Sequence, residues 1–313
     1  MQFSKQKPVD PILVPPLKKG NKRTIMQRKI LRIGRIPYAN LFPIFYYLDS
    51  KCDQTGYRFT KGVPSRLNKL LRDGKLDISP SSSIEYLRNR DRYLILPFFS
   101  ISSSGPIDSI LLFSKLPLNE MGGKTIALSS ESDTSVVLLK IILKEFLSIK
   151  CKFRTVRYRS VKNALSSFTA FLLIGDTAMK EAKKTVTKRD HTYQTAQSIA
   201  SHRSPITHYP SVYKYDLAEL WHIHTGLPFV FALWIVRREA ISEKKDLIMK
   251  LSIELLHANR YALGKFPLIA KKFSHNKWLD EKTLVGYWKK ISYNLTDKHL
   301  EGLRLFEKYA KNL

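Results

Sequence analysis

Apolar and polar positions sort into regular blocks from Ile30 onward. The run ILRIGRI at 30–36 predicts a strand, and Asn40 to Leu48 places Leu41, Ile44, Phe45 and Leu48 on one face of a helix. Tyr57 to Val63 predicts a second strand. Pro64 then stands at the start of a helix carrying Leu67, Leu70 and Leu71, where the missing proline N–H removes no hydrogen bond. LDIS at 76–79 reads as a third strand, and Ser82-Ser83-Ile84-Glu85 has the spacing of a capping box that opens a helix through Leu87. YLILPFF at 93–99 and DSILLFS at 108–114 add two more strands.

A second block begins near Lys115. KTIALS at 124–129 is a strand, Asp133 to Leu147 is a helix with Val136, Leu139, Leu143 and Phe146 in register, Lys150 to Tyr158 is a strand, and AFLLIG at 170–175 runs into a helix at Asp176. Residues 180–206 are polar, basic and aperiodic, which predicts a long loop or a ragged helix. FVFALWIV at 229–236 is the last strong strand, followed by helices at about 242–263, 266–274, 279–291 and 297–311. Alternating strands and helices in two blocks give an α/β fold class with two lobes. The expected division is 29–114 plus 225–313 for the first lobe and 115–224 for the second, with hinges near Ser114–Leu116 and Thr225–Pro228. Such a shape places a site in the cleft, where strand carboxyl ends and helix N-termini meet.

The chain has 313 residues, enough for about two cores. Its 54 Lys and Arg against 26 Asp and Glu leave a formal charge of +28. A field of that sign attracts anions without choosing among nucleic acid, an acidic surface and a small polyanion. Residues 1–28, basic and broken by Pro11, Pro15 and Pro16, read as a disordered tail and not as an export signal. Cys52 and Cys151 stand alone, so neither a disulfide framework nor a zinc site is expected, and a reducing, cytoplasmic location fits. The longest apolar run, Pro228 to Val236, is under half of the ~18 residues that would suggest a membrane span.

Three polar clusters follow strand-like segments: Ser79 to Ser83, Ser102 to Pro106, and Ser129 to Ser135. Hydroxyls and backbone N–H groups at helix starts form cradles for carboxylate or phosphate, although each cluster alone is also ordinary capping and turn chemistry. From these, Ser82 and Ser83, Ser103 and Ser104, and Ser132, Thr134 and Ser135 are the candidate substrate contacts. Asn40 lies between a strand and a helix, where it caps the helix or orients a ligand, and Asp176 ends another strand with the same two options. His222 and His224 are two apart on a helix and point away from each other, so no metal is expected there. No GxGxxG, Walker, GxSxG or HExxH pattern occurs, and no cofactor is expected. Lys150, Lys152 and Arg154 alternate on a strand face with Arg157 and Arg159 beyond, but the aromatics sit in apolar runs and no nucleic-acid motif appears; no nucleic-acid partner is expected.

Six segments then carry a resemblance: IGRIPYANLFP (33–43), LLRDGKLDISPSSSIEYLRN (70–89), LPFFSISSSGPIDSILLFS (96–114), IALSSESDTSVVLL (126–139), LLIGDTAM (172–179) and YDLAELWHIHTGLPFVFALWIVR (215–237). In order and over about residues 30–240, they resemble the chorismate dehydratases of the futalosine route to menaquinone. The resemblance implies a two-lobed type II periplasmic-binding-protein fold with an inter-lobe active-site cleft, used as a cytoplasmic, cofactor-free lyase. It implies a dicarboxylate substrate, chorismate, that loses water to give 3-[(1-carboxyvinyl)oxy]benzoate. In that reading Asn40 positions the substrate's own enolpyruvyl carboxylate as the base, with Asp176 as the runner-up. The alternatives are the sister enzyme that makes 1,4-dihydroxy-6-naphthoate, which would be expected to use a strand-end histidine, and a non-catalytic small-anion binding protein.

Overall fold

Two blocks of the same design build the chain, each pairing parallel strands with the helices that follow them. The computed structural model describes residues 29–131, 133–185, 187–188, 211–273 and 278–313; the basic tail, Ser132 and most of the 180–206 stretch lie outside the described residues. In the first block, β1 (Leu31–Arg35) leads through a 3-10 turn (Ala39–Leu41) to α1 (Phe42–Lys51), β2 (Tyr57–Lys61) to α2 (Pro64–Arg72), and β3 (Ile78–Ser82) to α3 (Ser83–Arg88). In the second, β6 (Thr125–Ser129) leads to α4 (Asp133–Ile141) and a π turn, β7 (Lys152–Val156) to α5 (Val161–Ser167), and β8 (Ala170–Ile174) to α6 (Gly175–Lys184). β1 runs parallel to β2 and β3, and β6 runs parallel to β7 and β8.

Further strands, most of them paired antiparallel, complete each sheet. β4 (Tyr93–Ser103), β11 (Phe229–Arg237) and β12 (Ser292–Asn294) give the first sheet the order β12-β4-β11-β3-β1-β2. β5 (Ile110–Ser114), β9 (Thr187–Lys188) and β10 (Val212–Asp216) give the second the order β7-β6-β8-β5-β10-β9. Ile110–Ser114, expected at the end of the first lobe, therefore pairs in the second sheet, with Ile110 opposite Ile174 and Ser114 opposite Ala170. Its alternation explains the choice: Leu111 and Phe113 face one buried cluster with Phe171 and Leu173, while Leu112 and Leu172 face the main core. The chain passes between sheets before residue 110 and returns after α7 (Leu217–Thr225). Asp216 fixes the first passage, accepting hydrogen bonds from Ile107 N, Asp108 N and, as the cap of α7, from Ala218 N and Glu219 N.

Two local expectations need correction. Ser79 to Ser82 lie within β3, not in a loop after it, because β11 pairs along them from Ala232 opposite Ser82 to Val236 opposite Ile78. Small side chains suit that central position: a Cβ on Gly34 of the neighbouring strand would come within 2.2 Å of Ser79 Oγ. The capping box at Ser82–Glu85 does not form. Ser82 makes no capping hydrogen bond, and Glu85, buried, binds Arg72 and Tyr93 instead. The helices expected at about 242–263 and 266–274 lie in α8 (Arg238–Lys272), whose backbone leaves helical geometry at Lys244 and again at Lys265, where the break between them is expected, two residues before Pro267. α9 (Glu281–Lys290) packs on α8 and the 3-10 turn, and α10 (Asp297–Ala310) packs on β11 of the first sheet.

Candidate functional site

The carboxyl ends of the two parallel triplets face each other, and hydrogen bonds between them define the cleft. Tyr38 Oη donates to Glu131 Oε2 at 3.0 Å, Ala39 N donates to Asp176 Oδ1 at 3.0 Å, and Ile84 N donates to Thr134 Oγ1 at 3.0 Å. Each bond joins a β-to-α connection of the first sheet to one of the second, the position at which open α/β sheets bind ligands.

Asn40 lies in the 3-10 turn, next to Ala39. It caps nothing: the 3-10 turn is preceded by Tyr38, and α1 has Leu41 at its N-cap. Its neighbours are held on every side. Trp288 Nε1, fully buried on α9, donates to Ala39 O at 2.8 Å, and Tyr293 Oη on β12 donates to Asn40 O at 2.5 Å. The Asn40 side-chain oxygen Oδ1 is nevertheless buried with no hydrogen-bond partner. An unpaired acceptor in such a place costs on the order of 1–3 kcal/mol, and the loop around it is fastened by the bonds to Ala39 and Asn40.

Asp176, half-buried in the first turn of α6, does not cap its helix. Burial pushes its carboxyl above the usual carboxylate range, against the opposing pull of Ala39 N–H and Lys180. Gly175 makes the approach possible. It has φ +61°, and a Cβ there would lie 3.1 Å from the Tyr38 ring. Burial, followed by the charges of Glu131 and Asp176, pushes the Tyr38 phenol well up, so it stays a protonated donor at neutral pH.

The candidate hydroxyls are close by but mostly engaged within the protein. Ser82 Oγ accepts from Asn68 Nδ2 at 2.9 Å, Ser83 Oγ donates to Val230 O at 2.5 Å, and Ser103 Oγ donates to Gly105 O. Thr134 receives Ile84 N–H, Ser135 is buried beside it, Ser104 is exposed just past β4, and Ser132 is outside the described residues. His222 and His224 stand apart from the cleft bonds: His222 Nδ1 lies 3.3 Å from Leu227 O, and His224 stacks on Phe146.

Sequence reading passed over Tyr38, Glu131, Trp288 and Tyr293. Tyr38 and Glu131 lie inside the segments already singled out, and a charged residue amid serines was a signal to pursue. Trp288 and Tyr293 act across 249 and 253 residues, and no local pattern announces such a contact. A cavity of about 210 Å³ also opens at the ends of β6, β7 and β8, with Glu131, Arg157 and Arg159 on its wall.

Comparison with known proteins bears on the family and the fold. A family model described as menaquinone biosynthesis matches residues 31–312. The chain is 33% identical over 274 residues to a chorismate dehydratase from Thermus thermophilus, covering 88% of this chain and 93% of that protein. It is 27% identical over 293 residues to a chorismate dehydratase from Campylobacter jejuni, covering 90% and 97%. Among solved structures, a protein from Archaeoglobus fulgidus superposes with TM-score 0.70 at 17% identity, over 92% of this chain and 98% of that one. The periplasmic aliphatic sulphonate binding protein of Escherichia coli superposes with TM-score 0.57 at 11% identity, over 91% and 92%. These likenesses give the fold expected from the sequence, that of the periplasmic binding proteins.

Proposed function

The chain belongs to the menaquinone-biosynthesis family, and on that premise we propose that it is a hydro-lyase that converts chorismate to 3-[(1-carboxyvinyl)oxy]benzoate and water. The observation that carries the reading is the Asn40 amide, unpaired at Oδ1 on a loop held from both sheets. An amide offers a donor and an acceptor together. Its N–H pair suits a substrate carboxylate, and its oxygen suits a substrate hydroxyl.

The reaction removes the proton on C3 and the hydroxyl on C4, forms the C3–C4 double bond and makes the ring aromatic. The driving force therefore lies in the substrate, and the protein has to hold a reactive conformer and stabilise developing charge. In this mechanism the enolpyruvyl carboxylate takes the C3 proton while Asn40 orients it. Negative charge grows on the ring carboxylate, which conjugation couples to C3. Asp176 is a positioning residue: the oxygen that receives Ala39 N–H fixes the backbone one residue before Asn40. Ser82, Ser83, Ser103 and Thr134 hold the walls of the cleft, and Ser104 and Ser135 complete the candidate contacts. The elimination as written needs no cofactor. Cys52 and Cys151 are both unpaired, which fits a cytoplasmic enzyme.

The test is incubation of purified protein with chorismate beside an enzyme-free control, followed by mass spectrometry and ultraviolet absorbance. Loss of one water with the spectrum of an enolpyruvyl benzoate is the expected result. Chorismate unchanged in the presence of folded protein would overturn the assignment.

A further inference from the structure

The cavity at the ends of β6, β7 and β8 has a chemistry that Asn40 does not use. Leu173, buried, and Val156 give it an apolar floor, while Ser129, Ser130 and Thr177 bring hydroxyls to its wall. Arg157 and Arg159 stand on the same wall, both exposed. Its one acid, Glu131, is bound by Tyr38 Oη and lies 3.8 Å from Arg159 Nη2. Arg157 pairs with no carboxylate among the described residues, so the cavity keeps an excess of positive charge. Tyr158, between the two arginines, packs edge-on against Phe168 with 6.4 Å between ring centroids, which steadies an aromatic surface beside them. Guanidinium groups match carboxylates in pairs of parallel hydrogen bonds, and an aromatic neighbour favours a flat, unsaturated group attached to that carboxylate.

Tyr38 connects this cavity to Asn40, because its hydroxyl ends on the cavity's glutamate while Asn40 follows two residues along the chain. We propose that the cavity is a carboxylate seat in which Arg157 and Arg159 take one of the two carboxylates of the substrate, so that they select a dianion over a monoanion. The proposal rests on the reading of Asn40 as part of the reacting site. It also gives a local role to the two basic residues just beyond the alternating Lys150, Lys152 and Arg154, separate from the general charge of +28.

The experiment is calorimetric binding of three stable probes to the full chain: 3-[(1-carboxyvinyl)oxy]benzoate, with both carboxylates, and 3-ethoxybenzoate and 2-phenoxyacrylate, with one each. Wild type should bind the dicarboxylate about tenfold or more tightly than either monoacid. The Arg157→Gln/Arg159→Gln variant should lose that preference and bind like wild type to the monoacid that lacks the seated carboxylate. With chorismate it should lower kcat/KM. The control is Lys150→Gln/Lys152→Gln, which removes the same charge from the opposite end of β7, outside the cavity, and should keep the preference. Equal losses in both variants would mean a general field, and no loss in the arginine variant would mean no seat; either overturns the proposal. The two readings fail separately. Turnover of chorismate with unchanged arginine-variant binding removes the seat alone, whereas selective dicarboxylate binding without turnover removes the reaction alone.

Discussion

Replacing Asn40 with alanine separates a ligand-holding amide from a structural one, because the two roles predict stability changes of opposite sign. A helix-capping asparagine would lose about 1 kcal/mol on truncation. Asn40 caps neither the 3-10 turn nor α1, so that loss does not arise. Its Oδ1 is buried and unpartnered, and removing such an acceptor relieves a burial cost on the order of 1–3 kcal/mol, partly offset by lost packing of a half-buried side chain. The folded state should be as stable as wild type or more stable by about 1 kcal/mol. Turnover should move the other way: loss of one preorganised polar group costs roughly 10²–10³ in kcat. Urea unfolding followed by circular dichroism gives the first quantity, and the absorbance change on saturating chorismate gives the second. A variant that loses more than about 1 kcal/mol, with turnover falling only in proportion to the unfolded fraction, would refute the reasoning. So would full turnover in a stable Asn40→Ala.

Asp176→Asn should keep an acceptor for Ala39 N–H and reduce kcat by less than about tenfold, whereas a general base would cost about 10²–10⁴. Because burial raises the Asp176 carboxyl in the folded state, its ionisation works against folding; thermal melts should show wild type losing ground to Asp176→Asn as pH rises from about 4 through the raised value. Gly175→Ala puts a Cβ 3.1 Å from the Tyr38 ring at φ +61°, which should cost roughly 1–2 kcal/mol of stability and lower kcat by displacing residues 38–40; a variant with wild-type melting and turnover would contradict the packing. Asp280→Ala should cost about 1 kcal/mol at pH 7 through the lost α9 cap to Thr283 N. Hydrogen bonds from Thr283 hold the Asp280 carboxyl down at about 2, so that difference should vanish in melts as pH falls through this value.

Most strands and helices were legible because their signals are local. AFLLI and FVFALWIV are buried strands in the structure, LRIGR within ILRIGRI is a largely buried one, and Pro64 does open its helix. The serine clusters misled for a physical reason. Polarity suggests a loop, but in a central strand flanked by Gly34 and by the bulky β11, small hydroxyl side chains fit where larger apolar ones would clash. The passage between sheets was placed a few residues late because period-2 alternation shows that DSILLFS is a strand and is silent on its partner; that partner, β8, lies some 60 residues on.

The candidate site was legible to the same degree and for the same reason. Asn40 and Asp176 were visible as polar residues at the ends of strands, a position that any two-layered α/β sheet turns toward its cleft. What the sequence does not carry is the division of labour between them. That depends on Ala39 N–H, which points at Asp176 only because Gly175 lets the Tyr38 ring come close, and on Trp288 and Tyr293, which fasten the same loop from the far end of the chain. Once those bonds are assigned, both candidate carboxylates next to the loop, Glu131 and Asp176, are committed to holding residues 38 and 39. A protein carboxylate acting as base through its other oxygen would take on a proton while it holds the loop, whereas a carboxylate carried by the substrate leaves both holds as they are; the size of the kcat loss in Asp176→Asn separates the two.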